Sequence, residues 1–444
     1  MVWGGRPVRL LIQHKNRPIR VFAKARGASV TTGKHQEYRL ANGLRLLIEP
    51  VIGVRSVAVT LLTSGGLIHE ADHESGLANL TVAMATRGAG DRSSREFVDW
   101  QDALGMQRTE GAETAHASIS CASVADRLES SLELIADIVQ RPHLPADQLD
   151  LCKAGILQEI DAMEDDPGQK LFVHLRQVSL PGKLGRRLLG TYESVEQLSI
   201  DDVRQFHANY YRPNQAILGI AGAVDLGKVE SLVEKHFGPW QRNKNIEAEQ
   251  DCPIARGLRD HVSTEKVQTH LGVSLDSVPF ADPDFFEAHA AALVLSGGMS
   301  SRLWTEIREK RGLCYTVSAS YAPFKELGRL LLYAATTNPE RAAETLDLML
   351  REVWRLREGI SEDEVARVRA GLKSSLIMQQ ESTSARAQSL ARHWYNLGRI
   401  RTVEEVAAAV DRLTPESIAR HLERHPLEEI GIVTLGPEPL EMVT

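Results

Sequence analysis

From Tyr38 onward, apolar and polar positions repeat at the periods that regular structure requires. The run "YRLANGLRLLIEP" sets an Asn42-Gly43 pair between apolar stretches, which predicts a hairpin, and "SVAVTLLTSGG" is a β-rich run stopped by Gly65-Gly66. Residues Gly76 to Thr86, "GLANLTVAMAT", are apolar on nearly all sides with no Pro or internal Gly, which predicts a buried helix. "SREFVDWQDALG" predicts a short helix with Ser94 as its N-cap and Gly105 as its stop. "HASISCAS" alternates as a half-buried strand does, and the next segment puts Leu128, Leu132, Ile135 and Val139 on one helical stripe ended by Pro142. A further helix is predicted from about Gln148 to Asp165.

Near residue 241 the hydrophobic period is lost in "QRNKNIEAEQDCP", which reads as a linker. The same order of elements then returns: a strand "KVQTHLGVSL", a helix "PDFFEAHAAALVLSG", a helix from Ser301 to Lys310, strands "YTVSASYAPF" and "GRLLLYAATT", and two long helices beginning near Pro339 and Ser361. The ends correspond as well. "LSIDDVRQFHANYYRPNQAILGIAGAVD" and "LTPESIARHLERHPLEEIGIVTLGP" are each a helix opened by a Ser or Thr cap and followed by a strand. Two similar α+β halves therefore account for nearly the whole chain. The expected organisation is a basic tail over 1–36, a first domain over 37–240, a linker over 241–253 and a second domain over 254–440.

Composition adds modest constraints. With 444 residues, 43% of them hydrophobic, the chain can bury a large core, and no apolar run reaches the roughly 18 residues that cross a bilayer. Eight of the 52 basic residues and none of the 59 acidic ones fall in residues 1–36, so the remainder carries a net −15. Such an acidic body argues against nucleic acid as a partner. The N-terminal basic stretch is poor in Ser and lacks an apolar core with a cleavage site, so it reads as a solvated tail or a start assigned too far upstream. Cys121, Cys152, Cys252 and Cys314 are scattered without a CxxC pair, which fits a reducing compartment; the cytoplasm is expected, with organellar targeting left open by the tail.

The motif His69-Glu70-Ala71-Asp72-His73 has the HExxH spacing of a zinc peptidase helix. Its setting, between Gly65-Gly66 and Gly76, supplies no helix to bring the two imidazoles to one face, so it reads as a polar connection. "LSGGMSSR" lacks the Gly-Lys-Ser/Thr of a phosphate loop. His116, His207, His270 and His289 show no partner pattern, and Trp100, Trp240, Trp304 and Trp354 read as packing residues.

The series "LANGLRLLIEP", "GLANLTVAMATRGAG", "GILQEIDAMEDDPG", "GTYESVEQLSIDDVRQFHANYYRPNQAILGIAGAVD" and "LSGGMSSRLWTEIREKRGLCYTVSASY" resembles the M16 peptidase family, the relatives of pitrilysin, insulinase and mitochondrial processing peptidase. The resemblance runs over residues 37–440 in the family's order and spacing. It implies an α+β protein of two homologous αβ-roll domains, each with a mainly antiparallel sheet and helices on one face. Peptide-cleaving members use HxxEH, two histidine zinc ligands and a glutamate that activates water. Here the matching positions are Asn79, Val82 and Ala83, and only Glu159, matching the distal zinc ligand, remains; a lone carboxylate reads as a solvated or ion-paired helix residue.

Arg308 and Tyr315 match the Arg/Tyr pair that active members present to the substrate, and Gly297, Gly298, Ser300 and Ser301 match the glycine-rich approach to it. The resemblance thus implies no metal in this chain and zinc in a partner M16 subunit that carries HxxEH. Together the two would enclose an unfolded peptide, with Arg308 and Tyr315 as substrate and oxyanion contacts. The alternative is a non-catalytic structural or peptide-binding subunit of a larger complex.

Overall fold

The computed structural model describes residues 35–243, 256–265, 268–336 and 338–440. The basic tail up to residue 34, most of the expected linker and Cys252 lie outside the described residues. The first sheet comprises β1 (Gln36–Arg39), β2 (Arg45–Pro50), β3 (Ser56–Thr63), β4 (Gln107–Ala112), β5 (Ala117–Val124) and β6 (Ile217–Gly222), in the order β1-β2-β6-β3-β5-β4. The second comprises β7 (Leu258–Ser263), β8 (Thr269–Ser277), β9 (Cys314–Pro323), β10 (Gly328–Thr336) and β11 (Glu429–Gly436), in the order β7-β11-β8-β10-β9.

The repeat read in the sequence is the same topology twice. In each sheet the last strand runs parallel to the first long one (β2 with β6, β7 with β11), and all other pairings are antiparallel. The helices that precede the two closing strands open as predicted. Ser199 accepts from the Asp202 N–H at 3.3 Å and Thr414 from the Ser417 N–H at 3.1 Å. The Asn42-Gly43 turn joins β1 to β2, and the stripe Leu128, Leu132, Ile135 and Val139 is fully buried in the Leu128–Gln140 helix. One boundary differs. The cap of the Ser94–Ala103 helix is Ser93, one residue earlier than predicted, because its hydroxyl and Glu96 bond reciprocally in a capping box.

Each half lends one helix to the other. The Pro167–Ser179 helix of the first half packs on β7, β8 and β11, burying Leu171 and Leu175 against Val433 and Leu435. The Thr383–Leu397 helix of the second half packs on β3 and β6, burying Ala387, Leu390 and Ala391 against Leu47, Leu62 and Ile217. Glycine permits the close approach. A Cβ on Gly219 in β6 would stand 2.5 Å from the Ala387 carbonyl, and one on Gly272 in β8 would stand 3.0 Å from a Leu171 methyl. The Arg386–Glu49 ion pair and the Ser56–Thr383 hydroxyl contact add polar links across the same junction.

Candidate functional site

The segment matching the zinc motif is the Leu77–Ala85 helix, which packs against the Leu149–Asp165 helix that carries Glu159. The backbone arrangement that could bring ligands from two helices together is therefore present. The side chains are not suited to it. Asn79 donates its amide N–H to the Leu188 carbonyl, Val82 is 6% exposed within the core, and Ala83 offers a methyl group. Glu159 points to solvent with no ion-pair partner among the described residues.

His69, Glu70 and His73 do not converge. Two short 3-10 turns, Leu67–His69 and Asp72–Glu74, replace the helix that an HExxH site needs. The His69 ring stacks on Tyr210 at 4.5 Å, and burial pulls its pKa down to about 4. The His73 side chain is 82% exposed, whereas Glu70 is wholly buried. Glu70 instead serves the neighbouring helix: one carboxylate oxygen accepts the Ala78 N–H at 2.8 Å in its first turn. Its other oxygen has no partner among the described residues, and burial pushes its pKa up to about 7.

In the second half the predicted Ser301–Lys310 helix widens into a π-helix over Trp304–Glu309, with the Lys310 N–H bonded to the Thr305 carbonyl five residues back. Such widened turns recur at functional sites. Leu303 and Ile307 face the core, while Trp304 and Arg308 share the outer side. The Arg308 guanidinium lies 3.8 Å from the Trp304 ring centre and 4.9 Å from that of Tyr315, the second residue of β9. Tyr315 is 72% exposed, and no carboxylate lies within ion-pair distance of Arg308 among the described residues. A half-buried guanidinium with no ion-pair partner among the described residues thus stands beside an exposed phenol.

A cleft of about 1350 Å³ separates the first sheet from the helices of the second half. Gly297, Gly298, Ser300 and Ser301 line it together with His116 and His289, whereas Arg308 and Tyr315 lie outside its wall. The sequence reading missed one cluster. Asp284, His421 and His425 bring a ligand atom each within 4.8 Å of one another, the sole such group of three among the described residues. The four-residue spacing of the two histidines was the available signal. Arg424 occupies the carboxylate at 2.7 Å, so the cluster stands as an ion-pair hub beneath the Phe285–Ser296 helix.

Comparison with known proteins decides the family. The profile described as "Insulinase (Peptidase family M16)" matches residues 48–192, and that described as "Peptidase M16 inactive domain" matches residues 197–372. The chain belongs to peptidase family M16. An uncharacterized zinc protease of Rickettsia bellii is 25% identical over 406 residues, covering 90% of this chain and 97% of its own. Another from Mycobacterium tuberculosis is 27% identical over 413 residues, covering 90% and 92%. Two solved structures superpose closely. An M16 inactive domain protein from Pseudomonas fluorescens gives a TM-score of 0.84 at 22% identity, covering 92% of this chain and 100% of its own; a protease from Helicobacter pylori gives 0.85 at 18%, covering 91% and 100%. A chain of complex III2 from Candida albicans shares the fold at a TM-score of 0.78 and 19% identity, covering 90% and 96%.

Within the M16 frame, the test for zinc is the donor set. An amide already bonded to a carbonyl, a buried isopropyl group and a methyl group provide neither imidazole nor a base for water, and Glu159 alone cannot hold the ion. The residues of this chain do not fit the metal named in its relatives.

Proposed function

We propose that this chain is the non-zinc subunit of a two-chain M16 metallopeptidase. The observation that carries the reading is the Arg308–Tyr315 pair, a half-buried guanidinium beside an exposed phenol with no counter-charge among the described residues, in a chain whose own zinc positions hold Asn79, Val82 and Ala83. A guanidinium left unpaired at a surface is suited to carbonyl or carboxylate oxygens that arrive from outside. Arg308 binds carbonyl oxygens of an unfolded peptide, and the Tyr315 hydroxyl donates to the oxyanion that develops when the scissile carbonyl is attacked. Gly297, Gly298, Ser300 and Ser301 offer backbone and hydroxyl groups to the same peptide. The metal and the base come from a companion M16 chain with an intact HxxEH.

Affinity purification of the tagged chain from its native cell, with mass spectrometry of what co-purifies in equal amount, tests the pairing. The expected companion is of about the same size and contains HxxEH. Recovery alone, or in a large assembly lacking such a chain, favours the structural-subunit alternative.

A further inference from the structure

A second cavity, of about 500 Å³, lies where the Pro167–Ser179 helix crosses onto the second sheet. Its walls are mainly apolar, with Phe172 and Leu175 from the first half and Phe324 and Leu331 from the second. Among them stand three guanidiniums, those of Arg176, Arg187 and Arg329. Arg329, in β10, is only 2% exposed; its Nε donates to the Ser179 carbonyl at 3.0 Å, and its Nη1 to the Gly328 carbonyl at 2.7 Å and to Asp276 at 3.1 Å. Its Nη2 is shut off from solvent and has no partner among the described residues, and the buried Ser179 hydroxyl has none either.

The charge around the cavity is unbalanced. Asp276 is shared between Arg329 and Arg256, the latter at 2.6 Å, and Arg256 also pairs with Glu428. Glu164 is shared between Arg187 and Lys170. Among the described residues Arg176 donates only to neutral acceptors, the Arg186 carbonyl at 3.0 Å and the Thr114 hydroxyl at 2.6 Å, and burial lowers its pKa to about 10. Buried donors left unpaired and a cation without a counter-charge are costly in an apolar setting. Apolar walls with a few convergent polar groups are also the usual make-up of a small-molecule pocket.

We propose that this cavity binds an apolar monocarboxylate, an aliphatic or aromatic body of medium-chain fatty-acid size. Its carboxylate is received at the Arg329–Ser179 end of the cavity, where a small turn of the two side chains brings Arg329 Nη2 and the Ser179 hydroxyl to the wall, and its body lies along Phe172, Leu175 and Leu331. Because the walls come from both halves, the ligand also holds the crossed helix on the second sheet, and binding raises stability through linkage. The proposal stands independently of the peptidase reading.

Titration calorimetry and thermal unfolding of the full chain with decanoate, decanol and an acetylated dipeptide ending in a free leucine carboxylate test it. Decanoate is expected to bind one per chain and raise the thermal midpoint, and decanol to do neither. Ser179→Ala and Arg329→Met should each weaken decanoate at least tenfold. Should Arg329→Met fail to fold, Ser179→Ala and the decanol comparison still decide. Tighter binding of the dipeptide than of decanoate assigns the carboxylate to a peptide end; the reverse assigns it to a lipid-derived acid. Equal binding of decanoate and decanol, or no binding of either carboxylate, overturns the proposal.

Discussion

The Arg308 guanidinium rests 4.9 Å from the centre of the Tyr315 ring and 3.8 Å from that of Trp304. The four-residue spacing along the helical turn keeps Leu303 and Ile307 buried on one side and Trp304 and Arg308 together on the other. An Arg packed against two rings loses less freedom when it bonds a substrate oxygen than a freely rotating one. Trp304→Leu removes an interaction worth about 0.5–1 kcal/mol, so turnover of the assembled peptidase should fall about two- to five-fold, with little change in thermal midpoint. Steady-state kinetics of the variant pair checks this; unchanged turnover means that Trp304 does not position Arg308.

Glu70 makes stability depend on pH in a defined direction. Its carboxyl titrates near 4.5 when free and near 7 in the fold. Between these values the unfolded chain has lost the proton that the folded chain keeps, so stability contributed by Glu70 is lost as pH rises from 4.5 to 7. The full effect is on the order of 3 kcal/mol. Glu70→Gln should match the native protein near pH 4.5 and exceed it at pH 8 in urea midpoint. Buried His69, His207 and His393, each held down to about 4, take stability away as pH falls from 6.5 in both proteins, so the difference between the two curves isolates Glu70.

The crossed helices predict where packing is least tolerant. Gly219→Ala forces a methyl group against the Ala387 carbonyl and should cost about 1–3 kcal/mol. Leu390→Ala empties the same contact and should cost about 2–5 kcal/mol. Chemical denaturation of both variants checks the pair; losses below about 0.5 kcal/mol would mean that the helix is not tightly seated.

Much of the fold was legible because it rests on local periodicity. The alternation of "HASISCAS", the stripe from Leu128 to Val139 and the Ser199 and Thr414 caps each follow from nearest-neighbour geometry. The exchange of the Pro167–Ser179 and Thr383–Leu397 helices was not, since an amphipathic stripe states that a face is covered and not by which sheet. The clearest trace of it is Gly219 and Gly272 in otherwise bulky strands, which mark a close backbone approach. At the candidate site, Asn79, Val82 and Ala83 showed the unsuitable donor set directly. The cavity at Arg329 was hidden because its walls come from segments about 150 residues apart that meet only through the crossing.

The donor set of the Leu77–Ala85 helix predicts that metal plays no part in the stability of the isolated chain. A chelator should leave its thermal midpoint unchanged, and metal analysis should find far less than one zinc per chain. A fall in midpoint on chelation would contradict this.

The central claim is that Arg308 and Tyr315 act on a peptide held by a zinc-bearing companion. The direct measurement is turnover of an unfolded peptide by the reconstituted pair, comparing the native chain with Arg308→Ala and Tyr315→Phe. Each substitution should lower turnover roughly tenfold or more, as loss of one oxyanion donor does, while co-purification and thermal midpoint stay as they were. Full turnover by both variants, or full turnover by the companion chain alone, would contradict the account.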